Sequence, residues 1–224
     1  MWCVPKLDDE YRKRMGDLLD LYEKPLDPTE PVVCLDERPV QLLDAKRDGR
    51  KASPGKTARR DYEYTRCGTA NIFCIVEPKA GRHLTHASKR RTAFEFAHAL
   101  RAIARRYRRA KTIHLVVDNL STHARSSLGR TFGWERGSQL WNRFTVHYTP
   151  THGSWLNQAE IEVSLWSREC LGRRRIPTFD QLASETKAWT LDADQQRRKI
   201  RWMFTREKAE TLFAKKVHNP RSRH

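Results

Sequence analysis

Residues 112–119, TIHLVVDN, decide how the chain is read. Ile113, Leu115, Val116 and Val117 form an apolar run without the alternation of a half-exposed strand. Such a run predicts a strand covered on both faces. Asp118 and Asn119 end it. A carboxylate at the carboxyl end of a buried strand faces the crevice where α/β sheets bind ligands. A turn or N-cap aspartate is the simpler alternative for this residue alone. A similar run lies upstream at 31–43, PVVCLDERPVQLL. Here Val32, Val33, Cys34 and Leu35 lead into Asp36. An ionised carboxylate at that point is costly unless paired or metal-bound. Hydration, or an ion pair with Arg38, would also account for Asp36 taken singly.

Working outward, DYEYTRC (61–67), NIFCIVEP (71–78) and GRHLTHAS (81–88) read as antiparallel strands completed by the first run. Residues 91–109, RTAFEFAHALRAIARRYRR, predict an amphipathic helix with Ala93, Ala97, Leu100, Ala104 and Tyr107 on one face. Arg101, Arg105, Arg106, Arg108 and Arg109 occupy the remainder and the end, where cations suit the helix dipole. Residues 124–142 read as helical in part, interrupted by glycine, and FTVHYTP (144–150) as a strand. A helix over 155–171 carries the stripe Leu156, Ala159, Val163, Trp166 and Cys170. Helices are also predicted at 7–23, 179–199 and 205–216, with a fraying tail NPRSRH. His114 and His147 fall within strands and read as packing histidines. The order predicts an α/β fold, a mixed five-stranded sheet flanked by helices. The expected division is an N-terminal helix and linker (1–30), a central domain (31–175) and a C-terminal helical extension (176–224).

Composition narrows the function. The chain has 224 residues, long enough for a full core without staples. It carries 44 Lys+Arg against 27 Asp+Glu, a net charge of +17. That charge suits a polyanion, with nucleic acid first. The five cysteines show neither a CxxC pair nor zinc-finger spacing, and Cys34 reads as a buried thiol in a reducing compartment. No run of ~18 apolar residues and no signal peptide is visible, so no membrane partner is expected. Residues 44–60, DAKRDGRKASPGKTARR, read as a mobile basic loop whose Lys51 and Lys56 either touch DNA or are simply solvated.

With a third carboxylate from a helix, Asp36 and Asp118 can form an oxygen-rich site for hard cations. Glu160 and Glu162 flank the apolar stripe of the 155–171 helix at similar angles, and periodicity does not choose between them. Two ions held by three such carboxylates would activate an attacking oxygen and stabilise a leaving one. A serine hydrolase is excluded by the lack of a nucleophile elbow.

The stretches PVVCLDERPVQLL, DYEYTRCGTANIF, VVDNLSTH and HYTPTHGSWLNQAEIE, in this order, resemble bacterial insertion-sequence transposases of the mariner-like superfamily. The resemblance runs from about Trp2 to the WMFTREKAETLF segment. It implies a ribonuclease-H-like fold with an acidic triad: Asp36 in LDE, Asp118 in VDN, and Glu160 rather than Glu162 by the LN-x-x-E pattern. It further implies two Mg2+ ions per site, with Mn2+ as a substitute. The implied activity is cleavage of DNA at terminal inverted repeats and strand transfer into target DNA, with TA as the target and a homodimer on DNA as the working form. A cytoplasmic, nucleoid-associated location in a bacterium is expected. The Asp118–Glu160 separation of 42 positions exceeds the family's usual spacing, the excess lying in LGRTFGWERGSQLWNRF. The helix-turn-helix region of full-length relatives is not seen; a separate chain or an upstream frame would have to supply it, or it is lost. Candidate DNA contacts are Asn119, His123, His152, Trp155, Asn157, Arg173, Arg174 and Arg175. For His152, Trp155 and Asn157, shaping the turn and capping the helix comes first. The alternatives are a ribonuclease-H-like nuclease without strand transfer and a non-catalytic DNA-binding remnant.

Overall fold

A computed structural model describes residues 8–47, 49–59 and 61–217. The chain runs α1 (Asp9–Glu23), β1 (Val32–Ala45), β2 (Tyr64–Glu77), β3 (Arg82–His83), β4 (His86–Ser88) and α2 (Ala93–Arg106). It continues β5 (Ile113–Val117), α3 (Arg125–Phe132), α4 (Trp134–Trp141), β6 (Phe144–Tyr148), α5 (Ala159–Trp166), α6 (Phe179–Gln195) and α7 (Arg206–Val217). Cys3 and the 219–224 tail lie outside the described residues. Among those described, no helix is long and apolar enough to cross a membrane.

The sheet order is β3-β2-β1-β5-β6, with β4 also on β2. β1 is antiparallel to β2 and parallel to β5, and β5 is parallel to β6, so the sheet is mixed. It has six strands where five are expected, because GRHLTHAS is split. β3 and β4 keep one register against β2. Between them the Ile75 amide donates to the Thr85 hydroxyl rather than to a backbone carbonyl. The expected separate strands at 61–67 and 71–78 are one strand, β2, continuous through Gly68 at φ +107°.

The described residues of the 44–60 stretch, expected as a mobile loop, carry two cross-strand bridges. Arg50 pairs with Arg59 and Ser53 with Lys56, extending the β1–β2 ladder to a tight tip. Pro54 fixes one turn position, and Gly55 at φ +74° supplies the left-handed one. Lys51 and Lys56 stand exposed on this tip.

Strand alternation sorts the core into two faces. Val33, Leu35, Phe73, Ile75, Ile113, Leu115 and Val117 pack against Phe96, Leu100 and Ile103 of α2 and Leu128 of α3. On the other face, Cys34, Val76 and Val116 meet α1, α7, Leu156 and Ala159, while Ile72 and Cys74 meet Trp166 and α6. Burial pushes the Cys34 thiol up to about 12, an inert packing group as expected. The helical excursion at 124–142 is a pair broken at Gly133, φ +82°. Gly137 lets α4 approach the α3 backbone, where a Cβ would stand 2.6 Å from Leu128.

His114 and His147 pack side by side, Nδ1 to Nε2 at 2.9 Å. Burial first, then His114, lowers the His147 pKa to about 4. The unfolded chain therefore binds this proton more readily, and stability present above pH ~6.5 is lost as pH falls toward 4. Urea titrations across that window should show a flatter pH dependence for His147→Gln than for the parent. Equal slopes would mean that His147 does not carry the acid sensitivity.

Candidate functional site

The register of two parallel strands builds the site. Cys34 of β1 pairs with Val116 of β5, so Asp36 and Asp118 each stand two residues beyond one pair, at the same level. Here β5 stops and β1 runs on, paired only with β2. Pro39, which cannot donate to a ladder, is tolerated because this side of β1 has no neighbour. Asp36 and Cys34 share a sheet face, and Cys34 packs with Leu156 and Ala159 at the start of α5. That brings Glu160 to the same opening, half-buried.

Asn157 fixes this junction. Its side-chain amide donates to the Leu35 carbonyl at 2.8 Å, and its oxygen accepts from the Ala159 amide at 3.1 Å. The residue before Asp36 is thereby tied to the residue before Glu160. The Tyr22 hydroxyl donates to the Leu156 carbonyl at 2.8 Å and pins the same turn from α1.

The three carboxylates differ in electrostatics. Burial, then Glu160 and Asp118, raise the Asp36 pKa to about 7, against the Glu37 amide that donates to it at 2.7 Å. Burial also acts on Asp118, but His123, the Leu120 amide and Arg91 outweigh it and hold its carboxyl below the usual range. His123 Nδ1 lies 2.7 Å from Asp118 Oδ1, and its Nε2 lies 3.2 Å from Glu37 Oε1. Burial opposes charge on His123, yet Asp118 and Glu37 together lift it to about 9. Phe96 covers the ring at 4.5 Å, and the Tyr148 hydroxyl donates to the His123 carbonyl at 2.7 Å. Among the described residues, no group of three or more His, Cys, Asp or Glu is drawn together into a ready cage for an ion.

Glu162 points elsewhere. Its side chain is fully buried, with both oxygens near His83 Nδ1 at 2.9 and 3.0 Å and the Thr85 hydroxyl donating at 2.8 Å. One turn-adjacent glutamate thus anchors α5 inside the protein while Glu160 lies at the opening.

Residues 31–183 match the family described as DDE superfamily endonuclease. The chain belongs to the DDE superfamily endonucleases. Comparison with curated proteins finds no match. Among solved structures, the Mos1 mariner paired end complex with Mn is 14% identical, with a TM-score of 0.56, covering 88% of this chain and 60% of that one. The Mos1 Strand Transfer Complex is 14% identical, TM-score 0.58, covering 88% and 59%. A pre-cleavage Mos1 transpososome is 16% identical, TM-score 0.57, covering 96% and 65%. The chain therefore spans less than two thirds of these Mos1 chains, and the likeness is one of fold. It is the ribonuclease-H-like fold of a mariner transposase, as the sequence implies.

Two of the expected DNA contacts of this DDE endonuclease domain, Asn157 and His123, need correction. Asn157 is 1% exposed and shapes the turn before α5, the role expected first of it, so the DNA contact expected second is out of reach. His123 is also 1% exposed and is held between two carboxylates. Arg175 donates to the carbonyls of Asp61, Tyr62 and Glu63 and lies over the Tyr64 ring, bracing the base of the hairpin. Arg174 bonds Glu185 and the Cys170 carbonyl. Arg173 is exposed. Asn119 donates to the Thr149 carbonyl at 2.6 Å and accepts from Arg14 at 3.0 Å. Trp155 meets Phe204 edge-on at 5.3 Å. His152, at φ +62°, is exposed on a cleft beside Arg14.

Sequence reasoning missed Glu37, Arg91 and Tyr148. Glu37 was findable: alternation puts it on the sheet face opposite Asp36, where a buried acid needs a partner. Arg91 and Tyr148 meet the site only through the fold.

Proposed function

We propose that this domain performs metal-dependent cleavage and joining of DNA strands as the catalytic part of a transposase, with Asp36, Asp118 and Glu160 as its acidic triad. One observation carries the proposal. Two carboxylates stand level on adjacent parallel strands, and a third from α5 helps raise the first to about 7. The mutual repulsion of the acids falls on Asp36, and oxygen-ligated divalent cations fit such a cluster. Asp36, Asp118 and Glu160 would hold Mg2+, or Mn2+ in its place. Of the Mos1 paired end complexes that share this fold, one is a complex with Mn and another a complex with Mg. When bound, the ions supply Lewis acidity to the attacking and leaving oxygens of a phosphodiester.

The chain's own residues do the positioning. His123 and Glu37 fix the Asp118 carboxylate from the α2 side of the sheet. Asn157 keeps α5 in register with β1. Exposed lysines of the hairpin tip, Lys51 and Lys56, together with Arg173 and His152, supply DNA contacts. The substrate is an element end bearing inverted repeats, the target TA, and the working form a homodimer on DNA. End recognition comes from a segment or chain beyond residues 31–183.

The test is strand cleavage of supercoiled DNA in Mg2+ or Mn2+, with Asp118→Ala alongside. Nicking by the parent alone is expected, with joined products once element ends are supplied. Nicking without joined products would favour a nuclease. Salt-sensitive binding without nicking by either protein would favour a non-catalytic DNA-binding remnant.

A further inference from the structure

The basic charge of this chain is concentrated. Residues 89–111 hold nine Lys and Arg and one acid, Glu95, against a net of +17 for the whole chain. That acid, Glu95, closes the capping box of α2, accepting from the Thr92 amide at 2.9 Å. The excess of eight positive charges therefore lies along a single helix and its two flanks.

The arrangement has a direction. At the start of α2, Arg91 is close enough to Asp118 to lower its pKa, and Phe96 covers His123. This end adjoins the candidate site. At the other end, Tyr107 bonds Glu77, and Arg106 bonds Asp194 on α6. A helix of 14 residues spans about 21 Å. Between its ends, Phe94, His98, Arg101 and Arg105 recur at spacings of four, three and four, which places them on one face. Arg108 extends the same spacing past the helix end.

The stripe does not stand alone. Phe94 is 56% exposed and lies on His98 at 4.3 Å. His98 meets Phe132 at 5.3 Å, and Arg101 sits over that ring at 4.9 Å. Arg101, Thr131, Phe132, Arg136 and Leu140 line an open cleft of about 460 Å³ between α2 and the α3–α4 pair. Arginines interleaved with aromatic rings in a shallow groove suit a sugar-phosphate backbone.

We propose that the outer face of α2, from Arg91 through Arg101 and Arg105 to Arg108, with Arg136 across the cleft, is a second DNA track. It carries a duplex away from the site on the α2 side of the sheet, the face opposite α5. The proposal rests on the DNA-processing function above for its choice of ligand. Its recognition is of phosphates, so it grips any sequence, whether target DNA or DNA flanking an element end.

The measurement is DNA binding by fluorescence anisotropy in EDTA, over a salt series, with the full chain and two unrelated duplexes of about 30 base pairs, long enough to cover the ~21 Å helix several times. Absence of metal keeps the result independent of whether the triad cuts. The variant is Arg105→Gln/Arg108→Gln/Arg136→Gln, all exposed positions. Its control is Lys187→Gln/Lys199→Gln/Arg201→Gln, three exposed cations outside the track. Three lost phosphate contacts should lower the slope of log K against log salt by about 2.7 on both duplexes. The control should keep the parent slope, and all three proteins should melt alike. A parent slope in the α2 variant, an equal fall in the control, or a fall on one duplex alone would overturn the track. A failure of the function proposal looks different: binding and its slope change persist while no cleavage is seen in Mg2+.

Discussion

Replacing Asp36 with Asn is expected to stabilise the metal-free protein at pH 8 and to abolish DNA cleavage. The two effects have one cause. Asp36 stands where β1 leaves the cover of β5, with burial, Glu160 and Asp118 all disfavouring its charge and a pKa of about 7 as the result. A carboxyl raised in the folded state stabilises fully below its unfolded pKa near 4, and that contribution disappears as pH rises through 7. Asn keeps the shape and removes the charge. The gain should be on the order of 4 kcal/mol at pH 8 and well under ~1 kcal/mol at pH 4. Cleavage should fall by roughly a thousandfold or more, beyond the ~10–100-fold typical of losing an outer-shell partner of a metal ligand. DNA binding should be unchanged or tighter, because a negative charge facing phosphates has gone. Melting temperatures in EDTA at both pH values, beside a nicking assay in Mg2+, check the prediction. A variant that is less stable at pH 8, or that still cleaves, would remove Asp36 from the triad.

The second large effect is expected at Glu162, the glutamate that does not face the opening. Both of its oxygens are engaged by His83 and Thr85, and neither Glu162 nor His83 is more than 1% exposed at the side chain. Burial acts against charge on His83, but Glu162 and the Arg198 carbonyl leave its pKa raised. Removing the carboxylate strands a buried His83 and a Thr85 hydroxyl whose acceptor has gone. Loss of one partner from such a pair costs about 3–5 kcal/mol. Glu162→Ala should lower the urea midpoint accordingly, and Glu162→Gln, which keeps a hydrogen-bond acceptor, should lose less. A Glu162→Ala protein within ~0.5 kcal/mol of the parent would show that the pair does not hold α5 in place. Raised folded-state basicity of His83 means that its contribution weakens as pH climbs through that raised pKa, so the penalty should shrink in alkaline buffer.

Much of this architecture was readable from residue patterns, for physical reasons that also mark where reading stopped. The apolar runs ending at Asp36 and Asp118 are unambiguous because strands covered on both faces permit few polar residues. The helix over α2 is equally plain, since its apolar and basic faces separate cleanly. The hairpin tip was harder. Its Ser-Pro-Gly-Lys turn was present, but the basic composition around it masked two cross-strand pairs. Gly68 suggested a break in β2, yet a long antiparallel partner carries the strand through it. At the site, the level placement of Asp36 and Asp118 depends on strand register, which composition does not encode. The choice of Glu160 over Glu162 came from family resemblance, not periodicity. The buried His83–Glu162 pair shows what the other glutamate does. Asn157, His123 and Arg175 have the composition of DNA contacts but satisfy buried or backbone groups instead, a distinction only three-dimensional neighbours can make.

The pairing of β1 also sets a timetable for the nascent chain. Its β2 partner follows directly, and the two close as a local hairpin, the kind of contact that forms early. Its β5 partner comes much later: Asp36 and Asp118 are 82 positions apart, and Glu160 is 42 further on. As the chain emerges from a ribosome, β1 has one unsatisfied edge until α2 has been made and β5 can dock. During that interval the strand bearing Asp36 is open to pairing with foreign strands, and the three acids are not yet together. A chain released before residue 160 would hold a finished hairpin and lack the third acid of the triad proposed above. Such a product would be prone to aggregate, and the parallel pairing that levels Asp36 with Asp118 also delays completion of the proposed triad until most of the domain has been translated.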